Sequence, residues 1–180
     1  GAALAAPQIM TRAAFADGHA STAPSGFNPI QLGDLKVTVI SDGFAVRENP
    51  QSIFGTNTTV EEVEGLLTDN YLPTNKMQFT FAPTVVEAGD NVILFDTGIG
   101  AGGRAGGTGK TRANLEAAGY APEAITHVVI THMHPDHIGG LSEDGAPAYP
   151  NAVYVAGEAE YGFWSDEARK GTGADAIHTQ

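Results

Sequence analysis

A buried strand that opens into a crowd of ligand-type side chains constrains this chain more than any other feature. His127-Val128-Val129-Ile130-Thr131 is dominated by β-branched residues and reads as a strand. Directly behind it come His132-Met133-His134-Pro135-Asp136-His137 and then Ile138-Gly139-Gly140-Leu141. A strand that delivers such a cluster to its carboxyl end is the arrangement of an α/β protein, where chemistry gathers at those ends. In an extended segment residues two apart point the same way, so His132 and His134 share a face. Pro135 stops the extended ladder and suits the first turn of a helix, which brings Asp136 and His137 round beside the first pair. Imidazole nitrogen and carboxylate oxygen suit zinc, and also manganese, iron or cobalt. The chain has no Cys, so thiolate sites are excluded. The spacing therefore predicts two divalent ions, one on His132 and His134 and one on Asp136 and His137. Ions roughly 3.5–4 Å apart can clamp the attacking and leaving oxygens of a hydrolysis.

The run His132-x-His134-x-Asp136-His137 followed by Gly139-Gly140-Leu141 resembles the signature of the metallo-β-lactamase superfamily. Amidohydrolase barrels also open their metal site with His-x-His, but that pattern lacks the Asp-His two residues later. Upstream, Leu94-Phe95-Asp96-Thr97-Gly98 resembles the superfamily's strand-and-turn element. The stretch from Arg112–Tyr120 to Trp164 is most similar to its methyl parathion hydrolase and lactonase branch, and the resemblance as a whole runs from about Leu32 to Trp164. It implies an α/β fold, the four-layer αββα sandwich of two similar halves. It also implies a metallo-hydrolase in which a hydroxide held by two divalent ions attacks an ester, lactone or phosphotriester. In this reading Asp136 is catalytic as well as a ligand, orienting the hydroxide and taking a proton later. Asp96 stands behind the metal site rather than on an ion, and Trp164 lines the leaving-group pocket. The same ligands serve thioester hydrolases of the glyoxalase type and mononuclear iron dioxygenases, which metal content and a substrate panel would separate.

Length sets an expectation of its own. The 180 residues suffice for one domain with a core, but the two-half sandwich usually needs more chain. The superfamily's second half carries a further ligand His, a bridging Asp and a last His, whereas after His137 only His178 remains here. The chain is thus expected to be a first half plus a little: a domain over 30–180, incomplete at its C-terminus, with the missing half as a partner.

Composition narrows the partners. The chain is 42% hydrophobic and 17% charged, as a globular protein is. Its 21 acidic against 9 basic residues give a formal charge of −12, which argues against nucleic acid. No apolar run nears the roughly 18 residues of a membrane span. The expected partner is a small-molecule substrate, not nucleic acid or membrane, with homodimer formation left open. Residues 1–29 are rich in Ala, Ser, Thr, Gly and Pro without a sustained period and read as an extended arm. The first seven, Gly1 to Pro7, suit the stub of a cleaved signal peptide and a tag remnant equally, which leaves a periplasmic or secreted location open.

Along the rest of the chain, Leu35–Ser41 reads as a strand and Asp42-Gly43 as a hairpin turn that returns Phe44–Val46 as its partner. Thr59-Val60-Glu61-Glu62 is a capping box. Val60, Val63, Leu66 and Leu67 follow at helical spacing, so 59–68 is expected to be an amphipathic helix with its stripe in the core. Met77, Phe79 and Phe81 alternate as a half-buried strand that Pro83 cuts. Thr84–Ala88 and Val92–Phe95 flank a Gly89-Asp90-Asn91 turn, a helix over 110–118 closes at Gly119, and Ala152–Ala156 is a strand before a helix toward Trp164.

One rival lies in the glycines. Gly98-Ile99-Gly100-Ala101-Gly102-Gly103 matches G-x-G-x-x-G after a strand, the dinucleotide fingerprint, and Gly109-Lys110-Thr111 ends like a P-loop. A nucleotide-binding protein using the Gly98–Gly109 loop is the alternative of another class. Against it, the glycines continue where a helix should begin, and Arg104 stands where the P-loop needs Gly. Outside catalysis, half a sandwich could also serve as a scaffold that binds an ion weakly.

Overall fold

The structure is a computed structural model and describes residues 26–169. In chain order the elements are β1 (Phe27–Leu32), β2 (Leu35–Ile40), β3 (Gly43–Glu48), α1 (Val60–Asp69), β4 (Lys76–Phe81), β5 (Thr84–Ala88), β6 (Asn91–Phe95), α2 (Thr111–Ala117), β7 (His127–Ile130), α3 (Pro135–Ile138), β8 (Ser142–Glu143), β9 (Ala146–Pro147), β10 (Val153–Ala156) and α4 (Glu158–Trp164). Six strands form one sheet in the order β1-β2-β5-β6-β7-β10, while β3 pairs with β4 and β8 with β9. The sheet is mixed. β1, β2, β5 and β6 are antiparallel neighbours, with short turns joining β1 to β2 and β5 to β6, and β6, β7 and β10 run parallel. Parallel neighbours need a crossover, and the glycine-rich stretch with α2 supplies it between β6 and β7.

The pairing register puts Thr38, Val85, Leu94 and Val128 in one row across the sheet. All four are buried, and the apolar members cluster with Leu115 of α2, Ile138 of α3 and with Tyr120, Ile125 and Tyr149. Each large apolar side chain fully removed from water there contributes about 1.5–3 kcal/mol. The opposite row, Val39, Thr84, Phe95, Val129 and Val155, is only half covered, and Val155 is 43% exposed. No helix among the described residues is long and apolar enough to cross a membrane.

Three expectations change. The expected 1–29 arm is cut short, because β1 starts at Phe27 and pairs with β2; residues 1–25 of that arm lie outside the described residues, as do His19 and His178. Asp42-Gly43 is not a hairpin turn. β3 leaves β2 and pairs with β4, so the dipeptide is the crossing point between two sheets. Thr59 caps α1, its Oγ1 accepting from the Glu62 amide at 3.2 Å, and the helix covers 60–69. Its stripe is not core, however: Leu67 is buried but Val60 and Leu66 are 45% and 66% exposed. α1 lies beside the β3–β4 pair rather than on the six-stranded sheet, and Leu67 lines an open groove there with Val46, Leu72 and Met77.

Candidate metal centre

β7 ends at Ile130, and His134, with extended backbone, precedes the start of α3 at Pro135. This carries out the geometry read from the spacing. His132 Nε2 and His134 Nδ1 converge to 3.1 Å. The ring of His132 lies 3.7 Å, centroid to centroid, from that of His137. His137 Nε2 is 3.4 Å from Asp136 Oδ2. Three imidazoles and a carboxylate thus meet at the carboxyl end of one strand and the first turn of the next helix.

Asp96 ties this cluster to the sheet. It follows β6 with φ of 58°, a left-handed conformation that Asp tolerates better than most residues. The turn aims its carboxylate across to the neighbouring strand end. There it accepts from the Thr131 amide and hydroxyl, both at 2.8 Å, and lies 2.8 Å from His137 Nδ1. A carboxylate on one ring nitrogen fixes tautomer and ring orientation, and leaves the other nitrogen free to face an ion. These are long-range contacts, not the local backbone bonds of an ordinary turn residue. Thr131 joins the same knot, its hydroxyl 3.2 Å from His132 Nδ1 and 3.4 Å from His137 Nδ1.

The glycines hold α3 in place by backbone-on-backbone packing. The Thr97 amide and hydroxyl both donate to the His137 carbonyl, at 2.8 and 2.9 Å, and the Gly140 amide donates to the Gly98 carbonyl at 3.1 Å. Gly100 has φ 69° and ψ −161°, a region almost closed to other residues, and a Cβ there would strike the Gly139 carbonyl oxygen. Gly100→Ala should therefore cost about 2–4 kcal/mol in stability, from backbone strain together with overpacking. Urea unfolding checks this; a midpoint unchanged from the parent would contradict it.

The same stretch departs from the dinucleotide fingerprint. A short 3-10 turn over Ala101–Gly106 follows β6 in place of a long helix. Two amides of the stretch are taken by a side chain of the protein. Asp42, fully buried, accepts from the Ile99 and Gly109 amides at 3.0 and 3.1 Å and from the Thr111 amide at 2.8 Å, and the Thr111 hydroxyl donates to it as well. This carboxylate also caps the first turn of α2, where negative charge is favourable. Arg104 on the loop makes a two-pronged ion pair with Glu143, at 2.7 and 2.9 Å. The hydrogen bond with Glu143 raises the Arg104 guanidinium pKa and lowers that of the Glu143 carboxyl.

On the other flank, α4 brings Glu160 and Trp164 against the His132–His134 segment. Glu160 Oε1 accepts from the Met133 amide at 2.8 Å and from the Trp164 indole at 2.7 Å. The Met133 hydrogen bond is the main reason that the Glu160 carboxyl sits below the ordinary carboxylate range; the Trp164 bond and the nearby His132 and His134 act the same way, against partial desolvation. Trp164 stands edge-on to His134 with ring centroids 6.0 Å apart. Glu160 was not singled out by the sequence reading, although its spacing of four from Trp164 on one helix was a visible signal. For Asp42 no local signal existed.

A cavity of about 210 Å³ opens on the Asp136–His137 side, walled by Phe79, Phe81, Pro83 and Asp96. Trp164 is not among its lining residues.

One donor pair has the spacing of two ligands on a single divalent ion. Two nitrogens on one tetrahedral zinc would stand roughly 3.4 Å apart, given ligand bonds of about 2.0–2.1 Å. The His132–His134 separation of 3.1 Å is close to that. Among the described residues, however, no group of three or more His, Cys, Asp or Glu side chains stands in a metal-holding arrangement.

The family description "Metallo-beta-lactamase superfamily" matches residues 83–175, which include the whole cluster. The chain is similar to AidC, a dizinc quorum-quenching lactonase, with 28% identity and a TM-score of 0.76 over 86% of this chain and 57% of that one. It is also similar to the hydrolase AbOPH of the beta-lactamase superfamily, at 26% identity and a TM-score of 0.67 over 85% and 54%. A probable metal-dependent hydrolase from Staphylococcus aureus shares the fold at 22% identity, with a TM-score of 0.63 over 79% and 54%. The chain therefore spans a little over half the length of these solved structures. No curated protein matches it.

Proposed function

The chain belongs to the metallo-beta-lactamase superfamily, and from that we propose that it is the ligand-bearing part of a metal-dependent hydrolase acting on an ester, lactone or phosphotriester. The observation that carries this reading is the convergence of His132, His134, Asp136 and His137 between β7 and α3, with Asp96 on the remaining ring nitrogen of His137. His132 and His134 would hold one divalent ion, and Asp136 and His137 a second. Zinc suits the donors, with manganese, iron or cobalt as alternatives. When bound, such ions supply an activated water and polarise a C=O or P=O bond. Each pair supplies two protein ligands.

The remaining tasks fall to the chain's own groups. Asp96 keeps the proton of His137 on Nδ1 and so leaves Nε2 as the donor atom. Asp136, half-buried at the cavity wall, is placed to accept a proton at its carboxylate. Phe79, Phe81 and Pro83 offer an apolar wall to the non-reacting part of a substrate. Trp164 stands edge-on to His134, outside the lining of this cavity. The similarity to a lactonase supports a lactone or a related ester over a thioester.

The test is the double variant His132→Ala/His134→Ala of the full-length protein. It should lose about one ion per chain by elemental analysis, together with hydrolysis, because both ligands of one ion are removed. Unchanged metal content would overturn the assignment.

A further inference from the structure

We propose that Glu160 is a positioning residue that sets the spacing of the His132–His134 pair; this rests on reading those two histidines as metal ligands. A single oxygen, Oε1, takes both the Met133 amide at 2.8 Å and the Trp164 indole N–H at 2.7 Å. Both are short for N–H···O bonds, as expected with an ionised acceptor. Met133 is the residue between the two histidines, so the carboxylate grips the backbone that carries both rings.

This segment lies between the end of β7 and the start of α3, outside the sheet ladder. Carboxylates pin two of its amides instead, Asp96 at Thr131 and Glu160 at Met133. The second grip also orders Trp164, one turn further along α4, edge-on to His134. Losing it frees the Met133 amide and the indole together. The histidine pair then has to be ordered at the moment of metal binding, which lowers affinity.

Three variants of the full-length protein separate the grip from a mere charge effect. Glu160→Gln keeps an oxygen acceptor at the same reach without the charge. Glu160→Asp keeps the charge but falls short of the two donors, and Glu160→Ala removes both. Zn²⁺ affinity is read by competition with a chromophoric chelator, and ligand geometry by the visible absorption of Co²⁺-loaded protein. Glu160→Ala and Glu160→Asp should bind Zn²⁺ about 10–100-fold more weakly, the usual loss when a group supporting a ligand is removed, and should shift the Co²⁺ bands. Glu160→Gln should stay close to the parent in both readouts. Parental affinity in Glu160→Ala, while His132→Ala/His134→Ala loses its ion, overturns the proposal and leaves the ligand reading intact. So does an inverted pattern in which Asp rescues and Gln does not. Undiminished Zn²⁺ binding in the histidine double variant overturns the ligand reading, and the proposal with it.

Discussion

Replacing Asp136 by Asn is expected to lower turnover by roughly 10²–10⁴-fold, the scale of losing a positioned acid–base group. Asn keeps the size of the side chain and its place in the first turn of α3, so the packing of Ile138 and the contacts of Thr97 with the His137 carbonyl are preserved. What disappears is the negative charge 3.4 Å from His137 Nε2 at the wall of the Phe79–Phe81 cavity. An amide holds a cation poorly and cannot accept a proton near neutral pH. Turnover on a panel of lactones, aryl esters and phosphotriesters, at saturating Zn²⁺ and with metal content measured alongside, separates the two losses. Near-normal turnover with full metal content would sink the role given to Asp136.

Asp42→Ala should destabilise the fold by about 3–5 kcal/mol, because a buried carboxylate and its donors form one unit. The change leaves the amides of Ile99, Gly109 and Thr111 and the Thr111 hydroxyl without their acceptor in a part-buried to fully buried site. A Cβ alone fills none of that space. Asp42→Asn should recover only part of the loss, since one side of the amide is a donor and must face other donors. Urea denaturation of the full-length protein and both variants reads the difference. A loss under about 1 kcal/mol for Ala, the scale of an ordinary surface substitution or less, would show that water takes over the carboxylate's bonds. Disorder of the His132–His137 cluster should accompany the loss, because the Gly98–Gly109 stretch that Asp42 holds also packs against α3.

Sequence alone determined the elements whose causes are local. The strand 127–130 followed from its β-branched run, the Gly89-Asp90 turn from its residues, and the start of α1 from Thr59 and Glu62. The convergence of His132 and His134 followed from a period of two, and the swing of Asp136 and His137 from Pro135, since both depend only on neighbours in the chain. The resemblance placed Asp96 behind the cluster, and the structure puts its carboxylate on His137 and Thr131. Tertiary structure decided what depends on residues far apart. Asp42-Gly43 carries a good turn signal, yet Asp42 serves donors 57 to 69 residues away, and no local pattern encodes such partners. The glycine stretch satisfies a nucleotide motif in sequence, but in the fold a buried carboxylate takes its Ile99 and Gly109 amides and its backbone packs against Gly139 and Gly140. The stripe of α1 has helical spacing, which says that one face is apolar but not which surface covers it; in the fold that face meets a two-stranded pair and an open groove. Glu160 reaches Met133 across 27 residues because β10 runs parallel to β7 and sets α4 beside the end of that strand, a placement that only the sheet order supplies.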